Sequence, residues 1–165
     1  MKKITLITTL LLCLMMTLNA CSSYRDDVDV NDLTSVILNS VSTQGGYTAM
    51  DELFLSLEFA NPSLIESDVS EWMICASNSQ STVDEFGIFH VKEGGDVEAV
   101  KAEVWDYVQA TQVKLEVFLD MYEPAEKTKL ENAQIEVYGN YVVYTILTPE
   151  DTTAATSAVK TALGK

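Results

Sequence analysis

A glycine-asparagine pair, Gly139-Asn140, stands between two apolar-rich runs in residues 134–147. Of all the local signals in the chain, it most restricts the fold. A two-residue hairpin loop at that pair sets Tyr138 opposite Tyr141, Val137 opposite Val142 and Ile135 opposite Tyr144. Directly opposed residues share a sheet face. That parity gathers Ile135, Val137, Val142, Tyr144 and Ile146 on one side and puts Gln134, Glu136 and Thr145 on the other. A slip of one residue would scatter them. The pairing therefore predicts a hairpin with a buried face and a positive φ within the turn, which glycine adopts without a side-chain clash.

Another hairpin, the first along the chain, is predicted from the β-prone runs 72–76 and 85–91 across the polar loop 77–82, with Cys75 near Gly87 and His90 opposite Trp72. Elsewhere the apolar spacing is helical. Leu33, Val36, Ile37 and Val41 form one face, with Asn31 or Asp32 as cap and Gly45-Gly46 as stop. Met50, Leu53, Phe54, Leu57 and Phe59 crowd a second stretch that Asn61-Pro62 breaks. After Glu93-Gly94-Gly95-Asp96, the residues Val97, Val100, Val104, Val108, Thr111, Leu115, Phe118 and Tyr122 step by three or four. They mark one amphipathic helix of about seven turns. Pro124 ends it and opens one further helical turn or two before Ala133. Thr148-Pro149-Glu150-Asp151 starts a last helix with Ala155, Val159, Ala162 and Leu163 as its buried side. Two hairpins and these helices predict an α+β fold: a four-stranded, mainly antiparallel sheet covered by helices, including the long amphipathic one.

The N-terminus carries an address. Lys2 and Lys3 precede an apolar or hydroxylated run over residues 4–18, and no further charge comes before Arg25. That order of regions is a secretory signal, and the run is short of the roughly 20 residues that span hydrocarbon. Leu18-Asn19-Ala20-Cys21 resembles the lipobox of bacterial lipoproteins. The resemblance implies that Cys21 receives diacylglycerol on sulfur and becomes the mature N-terminus. The expected organisation is a signal peptide at 1–20, a lipidated cysteine and polar tether at 21–30, and a single domain at 31–165. The expected location is the extracytoplasmic face of the cell membrane, held by acyl chains. The charged tether should be extended by its own repulsion.

Loss of Lys2 and Lys3 with the signal leaves eight basic residues against 25 carboxylates, a formal charge of −17. Such a surface repels nucleic acid and does not dock directly on anionic lipid. Cys13 leaves with the signal and Cys21 takes the lipid, so only Cys75 remains and the core has no intramolecular disulfide to rely on.

The set formed by Asp84-Glu85-Phe86-Gly87-Ile88-Phe89-His90-Val91, a glycine-bearing connection, the long helix, Tyr122-Glu123-Pro124, Leu130-Glu131-Asn132-Ala133 and Gly139-Asn140-Tyr141-Val142 is distinctive. It resembles a family of small bacterial lipoproteins, chiefly of Gram-positive type, catalogued only as a domain of unknown function. The resemblance covers roughly residues 30–163. Family members often carry a basic residue midway along the long helix, where residues 107–111 hold none. The family implies an envelope lipoprotein and brings no activity, cofactor or binding residue with it.

Candidate chemistry is sparse. Asp27-Val28-Asp29-Val30-Asn31 begins like a calcium loop, but Asp32 stands where the turn glycine belongs and Leu38 where the bidentate glutamate belongs. Ser157-Ala158-Val159-Lys160 lacks the companion motifs of the Ser-x-x-Lys enzymes. Gly94-Gly95 is a tight strand-to-helix turn, not a phosphate loop. Cys75 and His90, the one soft nucleophile and the one imidazole of the mature chain, would need to meet to form a thiolate pair. One histidine and one free cysteine do not make an ordinary transition-metal site, so no metal and no cofactor are expected. Tyr138, Tyr141 and Val143 fall on the face opposite the presumed core. Left uncovered and rimmed by Glu136 and Gln134, they would form a binding surface. The expected function is a membrane-tethered envelope lipoprotein with a non-catalytic domain for an envelope protein or small ligand. The alternative is an envelope hydrolase or thiol-dependent enzyme.

Overall fold

The computed structural model describes residues 24–42 and 46–165; the signal segment, Cys21 and Gly45 lie outside them. Within these residues six helices and five strands follow one another as α1 (Val30–Ser40), β1 (Tyr47–Ala49), α2 (Glu52–Glu58), α3 (Pro62–Asp68), β2 (Val69–Ser77), β3 (Glu85–Val91), α4 (Val97–Tyr122), α5 (Pro124–Glu131), β4 (Gln134–Tyr138), β5 (Tyr141–Ile146) and α6 (Pro149–Leu163). The sheet order is β1-β2-β3-β5-β4, and every neighbouring pair is antiparallel.

The fold class is α+β, as the periodicities predict, with one strand more than expected. The added strand, β1, is only three residues long and carries no alternation of its own. It pairs Tyr47, Thr48 and Ala49 with Ser77, Ala76 and Cys75 at the sheet edge. Pro62 at the first position of α3 explains why helix resumes after the Asn61-Pro62 break.

The second hairpin has the predicted register, with Tyr138 opposite Tyr141 and Ile135 opposite Tyr144. Gly139 alone takes a positive φ, 63°, the pattern of a II′ turn. The first hairpin is shifted by one from expectation: Cys75 faces Phe86, and Ile74 faces Gly87. This register lays Trp72 and Ile74 on the same side as Tyr144, whose ring crosses Gly87 so closely that a Cβ there would come within 2.2 Å of it.

Both sheet faces are covered. On one, α4 sets Val100, Val104, Tyr107 and Val108 against Ile74, Phe89, Val142, Tyr144 and Ile146, joined by Leu55, Phe59 and Ile65 from α2, its C-cap and α3. On the other, Val30, Leu33 and Ile37 of α1 and Ala155, Val159 and Leu163 of α6 pack on Cys75, Phe86, Ile88, Tyr138, Tyr141 and Val143. Caps close the helices. Asp96 accepts from Ala99 N at 3.0 Å and Thr148 from Asp151 N at 3.1 Å. The α1 cap is Asp29 in place of Asn31 or Asp32, accepting from Asn31 N at 2.7 Å.

From Tyr24 onward the expected free tether lies against the domain. Tyr24 bridges to Gly164 and meets the Tyr138 ring edge-on, and Arg25 N donates to Leu163 O at 2.8 Å. Tyr141 Oη donates to Val28 O at 2.8 Å and accepts from Val28 N at 3.1 Å. The self-repulsion expected of Asp26, Asp27 and Asp29 is offset locally. Asp27 pairs with Arg25, Asp26 holds Asn140 Nδ2 at 3.0 Å, and Asp29 caps α1.

Candidate functional site

The expected aromatic surface is not a surface. Tyr138, Tyr141 and Val143 do share a face, but α1 and α6 cover it, leaving them 2%, 0% and 2% exposed. Every residue of β5 is buried, so both of its faces need a covering layer. Tyr138 donates to Glu136 Oε2 at 2.8 Å, and burial followed by that carboxylate pushes its hydroxyl pKa up. Glu136 itself lies in a shallow groove between α4 and the β4 edge, beside Lys101 and Trp105.

Cys75 and His90 fall on one face, contrary to the expected register, yet remain apart. His90 pairs with Glu71 across the strands, four residues along β3 from the partner of Cys75. Its ring stacks on Tyr141 at 4.3 Å, and its Nε2 lies 3.1 Å from Asp26. Burial, then the charge of Glu85, raises the Cys75 thiol to about 11, so it holds its proton at neutral pH. Among the described residues no group of three or more His, Cys, Asp or Glu is placed to hold a metal ion, and no helix is long and apolar enough to cross a membrane.

What sequence reasoning missed lies at the other end of the strands. The loop 78–84, the start of β3 and the C-terminal half of α4 enclose a cavity of about 260 Å³. Thr111, Leu115, Phe118, Leu119 and Ile146 form its apolar wall; Asp84, Glu85, Glu123 and Glu126 supply carboxylates. Tyr107 and Tyr144 both donate to Glu85 Oε1, at 2.7 and 2.6 Å. Oε2 receives no hydrogen bond from any described residue. Burial raises the Glu85 carboxyl above its ordinary value, the two tyrosine bonds oppose that rise, and the charge of Glu58 adds to it. Both hydroxyls are pushed up in turn, by burial first and the Glu85 charge second.

Lys129 fastens the mouth. Its Nζ lies 2.6 Å from Asp84, 2.9 Å from Glu126 and 3.0 Å from Thr82, while Glu126 accepts from Val83 N at 3.0 Å. Burial disfavours the charge on Lys129, but the two carboxylates outweigh it and raise the pKa. For Glu126 burial acts upward, and the bonds from Lys129 and Val83 prevail and lower it. The loop is thereby tied to α5. Glu123, at the junction of α4 and α5, has no cation partner among the described residues. Lys129 answers Asp84 and Glu126 and leaves Glu85 and Glu123 of the cleft's four carboxylates without a cation partner among the described residues.

An antiparallel α+β domain with an acid-lined, apolar-walled cleft at one end of its sheet is the class that fold and site define. The chain belongs to the family described as a domain of unknown function, DUF4358, which matches residues 63–147. That stretch contains the whole cleft, whereas α1 and α6 lie outside it. Comparison with curated proteins and with solved structures finds no match.

Proposed function

We propose that this protein is a lipid-anchored envelope lipoprotein whose domain is a non-catalytic binding module, with the cleft around Glu85 as its ligand site. The observation that carries the reading is the placement of the cleft relative to the anchor. Tyr24 and Asp26 are held at the end of the sheet marked by Tyr138, Asn140 and His90, while Glu85 and Ile146 lie at the opposite end. Only Ser22 and Ser23 separate a lipidated Cys21 from Tyr24, a reach of about 10 Å over three Cα steps. The domain would therefore rest close to the bilayer with its cleft turned away, toward an envelope protein or small ligand.

Hydrolysis is the second reading, favoured by the raised Glu85 carboxyl, which suits a general acid. It also needs a base, and with Asp84 and Glu126 held by Lys129 the cleft offers Glu123, which no hydrogen bond among the described residues joins to Glu85. The binding reading needs no such partner.

Fatty-acid labelling of cells expressing the full chain tests the anchor, and Cys21→Ala should abolish incorporation. Affinity capture from envelope extracts tests the site. Ser81→Trp, at an exposed position of the cleft wall, should fill the mouth and lose the component that the parent recovers. Labelling that persists in the first variant, or capture undiminished in the second, refutes the corresponding half of the proposal.

A further inference from the structure

The C-terminal half of α4 is apolar on its outer side as well as its inner one. Val113, Val117 and Met121 recur every fourth residue at 74%, 71% and 67% exposure, flanked by Phe118 at 51% and Tyr122 at 64%. They form a ridge about 13 Å long at 1.5 Å per residue. Phe118 belongs both to this ridge and to the wall of the cleft, so the two are continuous. A ligand sized to the cavity alone would leave the ridge in water.

Charge decides what can lie there. Beside the ridge stand Glu116 and Asp120, both exposed and answered among the described residues only by Lys127, and Lys114 is engaged by Glu58 at 3.0 Å. At its C-terminal end lies Glu123, without a cation partner among the described residues, while Glu85 sits deeper in the cleft, beside Tyr107. A second copy would bring the same acidic rim against its like. An anionic bilayer is repelled for the same reason, and on the proposed anchoring the ridge lies at the end of the domain far from the membrane.

We infer that ridge and cleft together receive a basic amphipathic helix of a partner protein. Its apolar face lies on Val113, Val117, Phe118 and Met121, and a lysine or arginine reaches Glu123 at the mouth of the cleft. Helix-in-groove recognition spaces its anchors in this way. The partner's cation pairs with Glu123, a carboxylate that no cation among the described residues answers. The inference rests on the binding-module reading and specifies its ligand.

The test is a fluorescence-anisotropy titration of the full chain, in detergent, with a synthetic helical peptide of about 18 residues, roughly five turns. The peptide carries leucines on one face and lysines on the other, and its counterpart has every lysine replaced by glutamate. The lysine peptide should bind and the glutamate peptide should not. Affinity should fall with added salt, and Val117→Ser with Met121→Ser should weaken it about tenfold or more, as loss of apolar anchors does. Equal binding of both peptides, or affinity unchanged by the double substitution, overturns the inference. So does a dimer of the protein, or binding to phosphatidylglycerol vesicles, that the double substitution abolishes while leaving peptide affinity intact. The binding-module reading fails separately. Capture lost in Ser81→Trp but retained in the ridge variant removes the helix and keeps the module; capture retained in both removes both.

Discussion

The two halves of α4 share a sequence pattern and differ in what they do with it. In the first, Val100, Val104, Tyr107 and Val108 are all buried on the sheet. In the second, Leu119 alone is fully buried, Leu115 is partly so, and Phe118 and Tyr122, which continue the same stripe, stand out in solvent. Length explains the change. Twenty-six helical residues extend about 39 Å at 1.5 Å each, while the six residues of β5 beneath them extend about 20 Å. The helix outruns its sheet. Beyond that point its inner side meets the loop 78–84 and α5 in place of strands, and the space left between them is the cleft. A single amphipathic element is therefore core in its first half and cleft wall and ridge in its second.

The same substitution in each half would break or sustain this contrast. Val104 is fully buried between the sheet and its own helix. Val104→Ser removes two methyl groups from that core and adds a hydroxyl with no assured partner, and should cost about 3 kcal/mol. Urea denaturation of the full chain measures it. A midpoint equal to the parent's would mean that the first half of α4 is not the core element described above.

Glu85 supplies an effect of intermediate size, because it sits where the two halves meet. Tyr107 reaches it from the buried half, and Leu115 and Phe118 line the cleft it faces. Its folded carboxyl binds a proton more tightly than in the unfolded chain, where the ordinary value is 4.5. Its contribution to stability is thus fully present below that value and is lost as pH rises through the higher folded value. Glu85→Gln keeps an oxygen for both tyrosine hydroxyls and stays neutral at every pH. The variant should gain on the parent as pH climbs through this window. Parallel stability profiles across pH would show that the carboxyl is not desolvated as its surroundings require.

Much of this architecture was legible in the residues, and what escaped had physical causes. The hairpin around Gly139 was readable because turn chemistry and parity agree on one register. The first hairpin has a long loop, which leaves register open, and its one-residue shift follows from the passage of the Tyr144 ring over Gly87, a contact between residues far apart in sequence. The covering of both faces was implicit in β5, where Thr145 alone interrupts an apolar and aromatic run, but the Gln134 and Glu136 positions of the edge strand β4 disguised it as a one-sided sheet. β1 is three residues long and formed by pairing, not by pattern. The cleft was the least readable feature. Asp84, Glu85, Glu123 and Glu126 are ordinary acids in a chain rich in them, and only the overhang of α4 brings them around one cavity. A stripe too long for any strand beneath it was the available signal.

The smallest expected effect tests the other end of the comparison. Val117 is the same residue type as Val104, in the same helix, thirteen positions on. Val117→Ser exchanges a β-branched residue for one of similar helical preference, and with 71% of Val117 already in solvent little apolar area returns to water on unfolding. Stability should change by no more than about 0.5 kcal/mol, the ordinary range for a surface site. The result matters because this variant forms half of the double substitution expected to weaken peptide binding. A loss of binding then reads as loss of an anchor, since the fold beneath is unaltered. A cost approaching that of Val104→Ser would mean that Val117 is packed against something within the protein itself. The ridge would then be a covered face, and the contrast between the halves of α4, together with the helix-docking site built on it, would fail.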